Sequence, residues 1–116
     1  MPGSDPRQAS APPIRGGDLA ALYYGQRRSG DFYDFLRVNH DRVLFGLFDV
    51  AGRLEDTRPI LRALQESFRD CGAMLLAASP NNEVDAMLEL WIELNGTVKE
   101  LPCRRDIIQG IFHGVP

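Results

Sequence analysis

The apolar positions of this chain change period along its length. From Asp31 to Val38 (DFYDFLRV) and from Arg42 to Val50 (RVLFGLFDV), aromatic and branched residues crowd into short runs that suit strands. Asn39, His40 and Asp41 lie between the runs and are turn formers, so the two should fold back as an antiparallel hairpin. RVLFGLF is almost continuously apolar apart from Gly46, which predicts a strand covered on both faces and central in its sheet. A shorter run, Leu19 to Tyr24, bounded by Gly17 and Gly25, predicts an earlier strand, with a polar turn from Gln26 to Gly30.

The period then becomes helical. From Arg58 to Cys71 the residues Ile60, Leu61, Leu64 and Phe68 share one side, and Arg62, Gln65, Glu66 and Arg69 face away. Thr57 is the expected cap and Pro59 suits a first turn. A second helix is predicted from Glu83 to about Asn95, capped by Asn82, ended by Gly96, and buried through Val84, Met87, Leu88, Trp91 and Ile92. Thr97 to Pro116 shows no sustained period, and no element there is expected to close the sheet. The fold class is therefore α+β: an antiparallel hairpin or sheet followed by two packed helices.

Composition narrows the function classes. The 116 residues suit one domain. Residues 1–17, MPGSDPRQASAPPIRGG, lack the large apolar side chains that would offset ordering entropy and are expected to be a flexible arm or linker. A net charge of −3 leaves no basic footprint for nucleic acid. Cys71 and Cys103 are far apart with no CxxC, which argues against a disulfide scaffold or structural zinc and for reduced thiols in a cytoplasmic protein. No apolar run approaches membrane-spanning length, and the N-terminus lacks the apolar centre of a signal peptide.

The chemistry concentrates in SGDFYDF, residues 29–35, where two aspartates stand in a strand that should disfavour them. With Asn39-His40-Asp41 as the loop, Val38 faces Arg42, and the register carried down the hairpin sets Asp31 opposite Asp49. Facing β-carbons lie about 4.5–5.5 Å apart, so like charges there destabilise the pair. A Mg²⁺ or Mn²⁺ ion, an arginine (Arg15, Arg27, Arg28 or Arg53), or a raised carboxyl pKa would each relieve the repulsion. A two-residue loop, Asn39-His40, would break this register. Asp34, an odd step from Asp31, belongs to the opposite face, as a strand-edge or solvent-facing acid, an arginine partner or a metal ligand. In Phe48 to Gly52, FDVAG, an aspartate ends a strand before a permissive glycine, where carbonyls can face an ion. Taken alone, this is equally an acid closing a strand. His40 and His113 have no second ligand at close spacing and are expected at the surface. Arg27 and Arg28 are solvated turn charges or phosphate binders.

Ser29-Gly30-Asp31-Phe32-Tyr33-Asp34, followed by a hairpin and Asp49-Val50-Ala51-Gly52, resembles the start of a metal-dependent protein phosphatase of the stage II sporulation protein E type, within the protein phosphatase 2C-like class. The similarity covers roughly Asp18 to Asn95, so residues 18–95 would be the N-terminal half of such a domain and 96–116 a divergent or truncated tail. The resemblance implies a β-sandwich flanked by helix pairs that hydrolyses phosphoserine or phosphothreonine on a partner such as an anti-sigma-factor antagonist. It implies two Mn²⁺ or Mg²⁺ ions, with Asp49 bridging them, the Val50 carbonyl as a further ligand, and Asp31 holding the site directly or through water. Net charge and hydropathy predict no nucleic-acid or membrane partner, and a homodimer stays open. Ser29 replaces the first glycine of the family's GGDFYD, and Arg53 and Leu54 follow Gly52 where DVSGHG continues differently. Nothing after Asn95 looks like the family's TDG-like second half. The expectation is an incomplete phosphatase domain, inactive alone. The alternative is a non-catalytic phosphatase-like interaction module or a truncated gene product.

Overall fold

The computed structural model describes residues 12–14, 16–17, 30–51, 54–78, 82–98 and 105–114. Its order is β1 (Gly30–Asn39), β2 (Arg42–Val50), α1 (Leu54–Ala78), α2 (Glu83–Val98) and β3 (Arg105–His113). The strands form one antiparallel sheet in the order β1-β2-β3, so β2 is central as expected, but it is not covered on both faces along its whole length: from Gly46 on, buried and exposed residues alternate, with Leu47 and Asp49 exposed. The expected strand at Leu19 to Tyr24 and the turn before Gly30 lie outside the described residues.

β3 corrects the expectation that nothing after α2 closes the sheet. The segment RDIIQGIFH is apolar on both parities, with Ile107 and Ile111 alternating against Ile108 and Phe112, so it carries no clean period of two. Long-range pairing with β2, from Val50↔Arg105 to Arg42↔His113, supplies what the local pattern does not.

One face of the sheet meets the helices. Phe32, Leu44, Phe48 and Val50 point inward, and Phe48 stacks on Phe32 at 4.6 Å and meets the Phe68 ring edge-on at 5.3 Å. Gly46 makes that seat: a β-carbon there would stand 2.6 Å from the Phe48 ring and 2.8 Å from that of Phe68. Leu61, Leu64, Phe68 and Leu76 of α1 are fully buried, as the helical spacing foretells for the first three.

Both helices exceed their expected limits. α1 begins at Leu54, where Glu55 and Asp56 in the first turn favour the positive helix end. Thr57 therefore sits buried inside the helix rather than capping it, and Pro59 lies in the interior, where it costs a backbone hydrogen bond. At the other end Gly72 lets α1 approach β2, since a β-carbon there would lie 2.7 Å from Leu44. α2 starts after Asn82 as expected, with Ala86 N–H donating to the Asn82 carbonyl at 3.0 Å. It runs through Gly96 to Val98, because Val98 is buried and draws the last turn onto the core.

The buried stripe of α2 is also different from the expected one. Ala86, Leu90, Leu94 and Val98 enter the core with Met87 beside them, while Val84, Leu88, Trp91 and Ile92 are exposed. The helix is apolar over two adjacent stripes, so periodicity alone selects neither. Packing against α1 selects Ala86, Leu90 and Leu94, and Ser67 Oγ and Thr97 Oγ1 at 3.2 Å tie the two helices on that side.

Candidate functional site

The site expected from the sequence lies where β1 begins and β2 ends. The backbone register pairs Gly30 with Val50, Asp31 with Asp49 and Phe32 with Phe48. The expected facing of the two aspartates is therefore present, though for a different local reason. The connection is a two-residue turn, His40-Asp41, flanked by Asn39↔Arg42 rather than by Val38 and Arg42. An irregularity between Arg37 and Asn39 takes up one residue of β1, and from Arg37↔Val43 onward the register is the one anticipated. Asn39 Oδ1 accepts the Asp41 N–H at 3.1 Å, an Asx contact that shapes this tight turn.

β3 extends the row. Asp49 pairs with Asp31 on one side and with Asp106 on the other, so three aspartate positions cross the sheet in line. Asp106 is the row position that the sequence does not point to, because its CRRDII surroundings do not match the acids of the family's second half. The available signal is the chance to align RDIIQGIFH with RVLFGLFDV, which sets aspartate against aspartate once β3 is recognised as a strand. Asp49 is exposed, between the buried Phe48 and Val50 that anchor the end of β2 from the helix side. The Val50 side chain belongs wholly to the core, so its backbone is the part that can serve a site.

Such a row is a like-charge arrangement that destabilises the sheet unless it is neutralised. Among the described residues no arginine or lysine is paired with Asp49. Arg15, Arg27, Arg28 and Arg53, the four arginines considered from the sequence, lie outside the described residues. Among the described side chains no group of three or more His, Cys, Asp or Glu is placed to hold a metal. Aspartate carboxylates and backbone carbonyls, the donor types available at these positions, are hard oxygen ligands of the kind that suit Mg²⁺ or Mn²⁺ and not a thiolate or imidazole metal.

Asp34 does something else. It is on the helix side of β1, fully buried, and Arg69 donates Nε to Oδ2 at 2.9 Å and Nη2 to Oδ1 at 3.0 Å. Gln65 and the Phe35 N–H complete its shell, and Arg69 also donates to the Phe35 carbonyl at 3.1 Å. Of the roles considered for it, the arginine partner is the one present, which removes Asp34 from any site on the other face. Arg69 and Gln65, expected to face away from the core, instead turn toward β1.

A second charged group sits at the far end of the sheet. Glu83, first residue of α2, accepts from Arg42 at 2.9 Å and lies 2.8 Å from His113 Nε2. Burial pushes the Glu83 carboxyl up, but hydrogen bonds and charge from Arg42 and His113 outweigh it and leave the group below its ordinary value. His113 thus has a carboxylate partner, and both His113 and His40 are exposed as expected. Cys71 is a free thiol pushed up by burial and by the nearby Glu93 and Asp70 carboxylates, the opposite of an activated nucleophile.

Among the described residues no helix is long and apolar enough to cross a membrane. Comparison with family models, with curated proteins and with solved structures finds no match to this chain.

Proposed function

We propose that this chain carries the first part of a metal-dependent protein serine/threonine phosphatase site of the stage II sporulation protein E type. Asp31 and Asp49 are the acidic pair that holds Mn²⁺ or Mg²⁺, with the Val50 carbonyl beside them. The observation that carries this is the register Asp31↔Asp49, which brings together the two motifs that resemble the family. The donor chemistry fits hard divalent ions, and cation binding offsets the repulsion built into the row. When bound, the ions supply an activated water and neutralise charge on the phosphoryl oxygens.

The remaining work falls to the chain itself. Phe48 and Val50, locked in the core, fix the end of β2 and so the position of Asp49. The Asp34–Arg69 pair pins β1 to α1, and so holds the strand that bears Asp31. The substrate class proposed is a phosphorylated signalling protein such as an anti-sigma-factor antagonist.

The test is Mn²⁺-dependent hydrolysis of a phosphoserine peptide by the longest polypeptide that carries this sequence, beside its Asp49→Asn variant. Loss of the metal-dependent rate in the variant supports the proposal, and an unchanged rate overturns it. Mn²⁺ titration followed by NMR adds a readout independent of turnover: paramagnetic broadening should centre on the amides of Asp31, Asp49 and Asp106.

A further inference from the structure

α2 turns an apolar surface to solvent. Val84 is 81% exposed, Leu88 57%, Ile92 53% and Trp91 46%. At 3.6 residues per turn these four make one stripe along the helix, next to the stripe that enters the core. Apolar side chains scattered singly need no explanation, but a continuous strip of this kind marks a contact surface. The strip also continues past the helix: Val84 and Met87 border an open cleft of about 260 Å³ whose other walls are Glu83 and Gly110 and Ile111 of β3.

The charges beside the strip say what fits it. Asp85, Glu89 and Glu93 are exposed and follow one another at four-residue spacing along its outer border. α2 contains no basic residue, and its last turn has none to balance these acids. We propose that this face of α2 is the docking site for an amphipathic helix of another protein whose apolar side carries lysine or arginine along one edge. The apolar residues of the partner cover Val84, Leu88, Trp91 and Ile92, and its cations meet Asp85, Glu89 and Glu93. Two other occupants fit less well. A second copy laid antiparallel on the same face sets acidic border against acidic border, and an anionic bilayer surface is repelled by it. This surface is independent of the aspartate row and of any phosphatase activity.

Trp91 is the chain's one tryptophan, so its fluorescence reports on this face alone. The probes are two designed peptides of roughly 18 residues, long enough to become helical on docking. One is a leucine-faced helix bordered by lysines, and the other carries glutamate in place of each lysine. The expected result is a blue shift of Trp91 with the lysine peptide, binding about tenfold or more tighter than that of the glutamate peptide, and a preference that weakens as salt rises. Leu88→Ser with Ile92→Ser should abolish the shift, and Glu89→Lys with Glu93→Lys should invert the preference. All four side chains are exposed, and an unchanged circular dichroism spectrum checks that the fold survives. Equal binding of both peptides, or of neither, overturns the proposal. So does a dimer in sedimentation equilibrium that the Leu88→Ser, Ile92→Ser variant dissolves, or a Trp91 blue shift on binding phosphatidylserine vesicles that the same change abolishes.

Discussion

Arg69 of α1 holds both carboxylate oxygens of Asp34 on β1, with Nε to Oδ2 at 2.9 Å and Nη2 to Oδ1 at 3.0 Å. The carboxylate is wholly buried, whereas the Arg69 side chain keeps 42% of its surface in water. The two ends of the pair should therefore respond unequally. Arg69→Met strands a buried charge and is expected to cost about 2–3 kcal/mol, below the usual 3–5 for a buried pair because Arg69 is partly solvated. Adding Asp34→Leu to that variant should recover part of the loss, since an apolar pair has no charge to desolvate. Urea unfolding of the two variants checks both signs, and a double variant less stable than Arg69→Met alone would contradict the role given to the pair.

The two stripes of α2 make a second contrast. Leu90 is fully buried against the core, and Leu88, two residues away, is exposed. Leu90→Ala is expected to destabilise by about 2–5 kcal/mol, and Leu88→Ala by less than about 0.5 kcal/mol. The stripe expected from the sequence alone would give the reverse order, so thermal or urea unfolding of this pair decides which face of α2 is buried.

That reversal shows where the sequence stops being readable. The hairpin is legible because two short apolar and aromatic runs flank the turn formers Asn39, His40 and Asp41, and β2 has the limits that its run predicts, Arg42 to Val50. α1 was found at Ile60, Leu61, Leu64 and Phe68, where apolar and charged sides are cleanly divided. α2 lacks that division: with Val84, Ala86, Met87, Leu88, Leu90, Trp91, Ile92 and Leu94 all apolar, only the tertiary partner breaks the tie. β3 is hidden in the sequence for a related reason, since Ile107, Ile108, Ile111 and Phe112 occupy both parities. In the candidate site, a three-residue loop predicts the pair Asp31↔Asp49, and the pair is present although the turn has two residues, because the irregularity near Val38 takes up the difference. Asp106 and the Arg69 partner of Asp34 are separated from their neighbours by 57 and 35 positions of chain respectively, and no local pattern reaches that far.

Glu83 gives a prediction in acid. Its carboxyl lies below its ordinary value of 4.5 in the folded chain, through Arg42 and His113. A carboxylate with a depressed folded value contributes stability above its unfolded value and loses it as pH falls through the folded one. The contribution should therefore be full near pH 7 and decline below about pH 4.5. Its size should be no more than about 1 kcal/mol, because the side chain is partly exposed. Measured by urea unfolding, the stability difference between the wild type and Glu83→Gln should shrink steadily from pH 5 to pH 3. A constant difference would mean that the contacts of Glu83 do not depend on its charge.

Asp49 offers the sharpest test of the aspartate row, because the expected effect of one substitution changes sign with the solution. Without divalent ions, Asp49→Asn removes a charge from the position paired in register with both Asp31 and Asp106, and should stabilise the sheet by about 0.2–1 kcal/mol. With millimolar Mn²⁺, the wild type should gain stability by mass action as the ion binds only the folded row. Asp49→Asn should gain much less, so that the order of the two melting temperatures reverses. Asp34→Asn is the control: Asp34 lies on the helix side of β1, held by Arg69, and its variant should lose stability equally with and without the ion. A wild type that melts at the same temperature in Mn²⁺ as in a chelator would show that the facing aspartates are not a metal site, and would leave the repulsion along the row to be relieved by the chain itself.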